Sequence, residues 1–329
     1  MMSQPVRLGV VGAGYWGANL VRNCAQLGVL SVVSDLNAAT LAAVHGAHPG
    51  VAVTLEVEDL LSAPIDGVVI AAPAPLHASL ARRAASAGKH VFVEKPFALT
   101  VAEAQSIVEE TERCGVTSMA GHVLLYHPAV ERLLELVRAG AVGRVAHVRS
   151  RRLSLGKLRE HESVWWSFAP HDVALVLEIL GETPLEISGR QHRFSAHALP
   201  DMAYADACFA DGRSAHVEVS WRDPGKTSRL DVFGSEGVLT FTDSRAGASL
   251  TLTRCGERRE EHGGRGIWRE EPQTVAFTAG EPLRRELEAF IETIRTGVPA
   301  LTDGRKAVEV VRVLATFDAC SGIPQEALV

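Results

Sequence analysis

No apolar run in this chain of 329 residues approaches the ~20 needed to cross a bilayer. The opening Met1-Met2-Ser3-Gln4-Pro5 carries no signal-peptide hydrophobic core, so neither a membrane nor export is expected. Long Lys/Arg tracts are also missing, and with a formal net charge of −6 a nucleic-acid partner is not expected. A local arginine cluster leaves anionic small molecules open as ligands. Cysteine is sparse. The five (Cys24, Cys114, Cys208, Cys255, Cys320) are scattered without Cys-x-x-Cys spacing, which argues against zinc or disulfide frameworks and for reduced thiols in the cytoplasm. The pairs His45/His48 and His192/His197 lie outside any His-Glu-x-x-His pattern and away from clustered Cys and carboxylates, so no metal is expected. Internal repeats are absent. What remains, 47% apolar and 22% charged residues, is an ordinary globular composition with length for two domains.

The most informative stretch comes first. Val6 to Val11 reads as an apolar strand running into Gly12-Ala13-Gly14-Tyr15-Trp16-Gly17, with a helical stretch from Ala18 to Leu27 behind it. A second strand, Val29 to Val33, leads to Asp35, 18 residues after Gly17. This is a dinucleotide fingerprint. Gly12 permits the tight turn, Gly14 lets a pyrophosphate approach the backbone, and Gly17 lets helix and strand pack closely. The pyrophosphate would sit on the free N–H groups of the helix N-terminus. Asp35 would accept hydrogen bonds from the ribose hydroxyls and repel a 2′-phosphate, favouring NAD over NADP.

Strand and helix go on alternating to about residue 120, as in a parallel sheet built from βαβ units. Gly67 to Ala72 is an apolar strand of the doubly buried kind, stopped by Pro73-Ala74-Pro75. His90 to Val93 leads into Glu94-Lys95-Pro96, and Thr100 with Glu103 forms a capping box for the next helix. Past Gly121 the character changes. Val145 to Leu155 alternates, Pro170 to Leu180 reads as a helix, and Leu185 to Phe241 reads as antiparallel strands with one face covered. Arg254 to Glu271 reads as an exposed loop or hairpin. Helices over Pro282–Thr296 and Arg305–Cys320 close the chain.

A Rossmann half, the Glu94-Lys95-Pro96 tripeptide, Pro73 with His77, and a His-bearing helix leading into an antiparallel sheet together resemble the glucose–fructose oxidoreductase/inositol dehydrogenase/MocA family over essentially the whole chain. Four segments are similar to a sugar-nucleotide branch of it: Gly12 to Asn23, Gly121 to Ala129, Arg152 to Lys157, and Trp166 to Asp172. The resemblance implies an α/β chain with an N-terminal Rossmann domain, residues 1–121. A C-terminal α+β domain on a mostly antiparallel open sheet would follow, residues 122–329, its final helices packing back toward the Rossmann domain. It also implies NAD as cofactor, held by Gly12, Gly14, Tyr15, Trp16, Gly17 and Asp35, by Ala72, Pro73 and His77, and by Glu94, Lys95 and His122. Lys95 and His171 map onto the catalytic pair. The implied reaction is NAD-dependent oxidation of the C3 hydroxyl of a UDP-N-acetylhexosamine, feeding a transaminase that makes a 3-amino sugar for lipid A. A homo-oligomer, dimer or tetramer, assembled through the C-terminal sheet is implied as well. The family usually has Asp four residues before the catalytic His, where this chain has Ser167.

Each site residue has a plainer reading. Lys95 at a strand end is a common surface lysine, but the carboxyl edge of a parallel sheet is where such sheets bind ligands. His171 follows Pro170, a residue suited to the first helical position, so His171 is expected in the first turn, where the helix dipole keeps an imidazole neutral and basic. With Ser167 in place of Asp, its orientation would come from Asp172 or the substrate. His122, Tyr126 and His127 either line the site or pack a domain junction. Arg149 and Arg151 share one strand face and Arg152 the other, as a diphosphate clamp or as salt bridges in an interface. Lys157 and Arg159 are placed to meet a UDP pyrophosphate. Trp166 stacks on a uracil or sugar, or anchors the loop. Three rivals stay open: a keto-sugar reductase, a polyol or inositol dehydrogenase, and a non-catalytic NAD-sensing regulator.

Overall fold

The apolar runs of the first 120 residues form the strands of a parallel sheet in the computed structural model, which describes residues 5–156, 162–194, 199–245, 247–259 and 264–321. In chain order the first elements are β1 (Leu8–Val11), α1 (Gly17–Gln26), β2 (Leu30–Ser34), α2 (Ala38–Ala47), β3 (Ala52–Thr54) and α3 (Val57–Ser62). Then come β4 (Gly67–Ile70), α4 (His77–Ser86), β5 (His90–Glu94), α5 (Val101–Arg113) and β6 (Ser118–Gly121). The later part has α6 (Pro128–Arg138), β7 (Val145–Leu155), α7 (Val164–Leu180), β8 (Glu186–His192), β9 (Met202–Cys208) and β10 (Ser214–Ser220). It goes on through β11 (Arg222–Gly234), β12 (Gly237–Ser244), β13 (Gly247–Arg259), β14 (Arg265–Arg269) and β15 (Gln273–Thr274). Helices α8 (Pro282–Thr296) and α9 (Gly304–Cys320) are last.

The described residues divide into two compact units, one of those in 5–123 and 281–312, the other of those in 124–280 and 313–321. Helix α8 and the first part of α9 belong to the first unit. The apolar stripe of α8 explains this. Leu283, Leu287 and Phe290 are buried, and the Phe290 ring meets Phe92 of β5 edge-on at 5.8 Å.

In the first unit six parallel strands run in the order β3-β2-β1-β4-β5-β6. Every residue of β1 and β4 is buried, as their continuous apolar sequences require. The order reverses between β1 and β4, so the glycine turn, Ala72, Lys95 and His122 all follow the carboxyl ends of neighbouring strands. That edge of an open parallel sheet is its binding edge. Local signals hold as expected: Thr100 and Glu103 make a capping box, and Gly88 ends α4 with φ +73°.

The second unit is an open sheet in the order β14-β13-β12-β11-β7-β10-β9-β8, with β15 on β13. All its neighbours are antiparallel except β10 and β7. The segment Arg254 to Glu271 supplies a hairpin, Cys255 opposite Arg269 and Arg259 opposite Arg265. Helix α7 lies against β7, β9 and β10. It also corrects the expected start at Pro170. The helix begins at Val164, capped by Ser163, whose side chain accepts from the Trp166 N–H at 3.5 Å, and Pro170 lies inside it. Trp165 secures this extra length: it is buried, packs its ring against Phe317 in a tilted pair at 4.1 Å and donates its indole N–H to the Leu314 carbonyl.

Candidate active site

The three fingerprint glycines are glycine for different reasons. Gly12 has φ +88°, and a Cβ there would lie 2.8 Å from the Ala71 carbonyl oxygen. At Gly17 a Cβ would overlap the Gly12 carbonyl oxygen. At Gly14 it would meet nothing within 4 Å, so no protein atom asks for glycine there. A residue kept bare over open space beside a helix N-terminus suits a pyrophosphate resting on the backbone. Asp35 Oδ2 accepts from the Ala13 N–H at 2.8 Å and Oδ1 from Asn37 N–H at 2.8 Å, which ties the turn to the end of β2. A carboxylate has about four acceptor sites, so capacity remains for ribose hydroxyls. Tyr15 is exposed, while the Trp16 indole N–H donates to Glu94 Oε1 at 2.6 Å.

Beyond β4 and β5 the support is buried. His77 has Nδ1 2.8 Å from the Pro96 carbonyl oxygen and Nε2 2.8 Å from that of Ala72. It thus ties the loop after β4, which carries Pro73, to the Lys95-Pro96 loop. Glu94 accepts from Trp16 and from the Lys95 backbone N–H at 3.2 Å. Burial pushes its carboxyl up to about 7, against the lowering effects of the Trp16 hydrogen bond and the Lys95 charge. Burial, and then the charge of Lys95, pulls the His122 imidazole down to about 4, so it is neutral at physiological pH. Glu94, Lys95 and His122 therefore form one electrostatic group at the carboxyl edge of the first unit.

The second unit holds His171. It is half-buried at the eighth position of α7, two turns in. The dipole argument for a first-turn histidine fails here, because that field fades within one turn. Its neighbour Asp172 is committed elsewhere. Asp172 accepts from Ser150 Oγ at 2.6 Å and from Arg152 Nε at 2.8 Å and Nη2 at 3.1 Å, with its own side chain 1% exposed. This carboxylate fixes α7 to β7, and the expectation that it orients His171 is withdrawn. Ser167, one turn earlier, is buried. Trp166 is also buried, with its indole N–H on the Asp318 carboxylate, so it anchors α7 to α9 and is not exposed for stacking on a substrate. Tyr126 is buried, and His127 caps α6 by accepting from the Ala129 N–H. Arg149 is paired with Asp231, which also takes Arg229 and Thr240, so it is no free diphosphate clamp. Lys157 and Arg159 lie outside the described residues.

Two features escaped the sequence reading. The Ser150–Arg152–Asp172 cluster left only a weak trace, polar residues on the covered face of β7. Glu286 falls in the Leu283/Leu287/Phe290 stripe of α8, but charge on an amphipathic helix is ordinarily solvated, and the stripe alone does not announce its burial.

Two domains of one sequence family match this chain. Residues 6–122 match "Oxidoreductase family, NAD-binding Rossmann fold" and residues 130–240 match "GFO/IDH/MocA C-terminal domain". With the chain's dehydrogenase relatives, these matches define an NAD-dependent oxidoreductase acting on CH–OH. The chain belongs to the Gfo/Idh/MocA oxidoreductase family. It is 28% identical over 313 residues to UDP-N-acetylglucosamine 3-dehydrogenase of Acidithiobacillus ferrooxidans, covering 91% of this chain and 92% of that one. It is 25% identical over 317 residues to myo-inositol 2-dehydrogenase of Thermotoga maritima, with 91% of each covered. A solved structure of the Acidithiobacillus 3-dehydrogenase superposes with a TM-score of 0.82 at 24% identity, over 96% of this chain and 98% of the other, a likeness of fold.

Proposed function

We propose that the chain oxidises the C3 hydroxyl of UDP-N-acetylglucosamine with NAD to the 3-keto sugar nucleotide, which a transaminase then converts to a 3-amino sugar for lipid A. The observation that carries this reading is the 28% identity to a UDP-N-acetylglucosamine 3-dehydrogenase across nine-tenths of both chains. Bound NAD supplies the hydride acceptor. The protein's part is proton handling and charge placement. In this reading His171 removes the hydroxyl proton, and the Lys95 ammonium donates to the same oxygen and stabilises the developing alkoxide. Glu94 holds Lys95 in place, and neutral His122 adds no competing charge beside it. Lys157 and Arg159 bind the UDP pyrophosphate, and Tyr126 borders the sugar.

We place the enzyme in the cytoplasm; among the described residues no helix is long and apolar enough to cross a membrane. It assembles as a homo-oligomer through the sheet face bearing His147, Arg149, His216, Asp231 and Phe233, a mixed polar and aromatic surface opposite that covered by α7. A polyol or inositol dehydrogenase is the second reading, favoured by the likeness to myo-inositol 2-dehydrogenase. The test is a parallel assay of UDP-N-acetylglucosamine and myo-inositol with NAD, following reduced nicotinamide. Turnover of the sugar nucleotide with inhibition by UDP supports the proposal. Turnover of inositol alone, indifferent to UDP, overturns it.

A further inference from the structure

Phe290 of α8 sits edge-on against Phe92 of β5. One turn back along the helix, about 6 Å by rise, lies Glu286. Two residues on along the strand, about 6.6 Å and on the same face, lies Glu94. A Cβ on Gly67, level with His90 at the start of the strands, would lie 3.0 Å from Ile294 of α8, so the helix runs against β5 and Glu286 and Glu94 fall on the same side of the Phe–Phe contact inside the first unit. Glu286 is 0% exposed, and neither of its carboxyl oxygens has a hydrogen-bond donor among the described residues. Glu94 is hemmed in as well, since a Cβ on Gly121 would lie 2.9 Å from its Oε2. A buried carboxylate without a donor is strongly disfavoured, whereas a neutral carboxylic acid has one O–H to give. Burial holds the Glu286 carboxyl well above the usual range, and the charge of Glu94 raises it further.

Lys95 acts on Glu94 and on His122, and His122 is neutral. On the helices packed alongside, Arg22 of α1 is paired with Glu281, and Arg284 with Glu288.

We propose that Glu286 is a positioning residue: it gives its O–H to Glu94, so the two carboxyl groups carry one negative charge between them and Glu94 stays the counter-ion of Lys95. The inference rests on the role assigned to Lys95 in the proposed reaction. Its test needs no substrate, so it fails or stands apart from the choice of UDP-N-acetylglucosamine. The chain has only five lysines (Lys89, Lys95, Lys157, Lys226, Lys306), which makes ¹³C-methyl NMR of the reductively methylated enzyme readable, Lys95 being assigned with Lys95→Arg. Glu286→Gln, which still donates a hydrogen bond, should keep the Glu94 midpoint that the Lys95 methyl signal senses. Glu286→Leu, which fills the space but donates nothing, should raise the Glu94 midpoint, read as the step near pH 7 in the Lys95 methyl signal, by about one pH unit, a tenfold change in proton affinity. The acid limb of kcat/KM should rise in the Leu variant and not in the Gln variant. A filler role predicts equal titrations in both, and that result overturns the proposal, as does a shift in Gln equal to that in Leu. Should the Leu variant not fold, glutamate-edited infrared spectra decide. A protonated-carboxyl band present in the wild type and lost in Glu286→Gln supports the proposal, and its absence from the wild type refutes it.

Discussion

Arg152→Met should loosen the second unit before it touches the chemistry. The methionine keeps most of the aliphatic packing and removes only the guanidinium. Asp172 would then be left, 1% exposed, with Ser150 Oγ as its one remaining donor of the three contacts now made. Breaking a buried ion pair by deleting one partner costs about 3–5 kcal/mol, because a charge stays buried without compensation. Arg152 is itself 19% exposed, which draws the expectation to the lower end, about 3 kcal/mol. Urea unfolding followed by tryptophan fluorescence is the assay, since Trp165, Trp166 and Trp221 are all buried in this unit. Asp172→Asn should weaken the same transition by about 2 kcal/mol while kcat, measured well below melting, falls less than about fivefold. A double mutant lacking both charges should recover part of the loss. The opposite pattern would refute the reasoning: an unchanged urea midpoint in Arg152→Met, with Asp172→Asn folded normally but more than about a hundredfold slower, would make Asp172 a partner of His171 after all.

Other outcomes follow from the same structure. A methyl group added at Gly14 should leave the melting temperature alone and weaken NAD binding, whereas one at Gly17, overlapping the Gly12 carbonyl, should impair folding itself; calorimetric NAD titration and thermal melts separate the two. Glu94→Gln should change stability with pH. The folded carboxyl ionises near 7 against an ordinary value of 4.5, so ionisation disfavours the fold progressively between those values. Relative to wild type the Gln variant should gain about 3 kcal/mol on going from pH 4.5 to above 7, and a pH-independent difference in melting would contradict this. His171→Asn should fold normally and lose most turnover; wild-type kcat in that variant removes His171 from the mechanism.

How far these features could be read without coordinates depends on how local their causes are. The glycine turn and the Thr100 capping box depend on residues a few positions apart, and the structure has both where the sequence implies. The β13–β14 hairpin and the alternation along β7 were legible for the same reason. Helix α7 was misread at one end because Pro170 suits a first helical position. The competing signals, Ser163 as a cap and Trp165 secured by α9 almost 150 residues later, depend on tertiary contacts. The return of α8 to the first unit was legible in outline, but its buried Glu286 was not. Charge on an amphipathic helix is ordinarily solvated, and only the Phe92–Phe290 contact shows which way this side chain is carried. Trp166 was ambiguous for a similar reason, since nothing nearby in sequence announces Asp318 as its partner.

The most direct test of the central claim uses UDP-N-acetylglucosamine deuterated at C3, incubated with the enzyme and NAD. Deuterium recovered on the reduced nicotinamide, with a 3-keto sugar nucleotide as co-product and a primary isotope effect in single-turnover experiments, is the expected result. Reduction of NAD by a free polyol with no label transferred from the sugar nucleotide would contradict it.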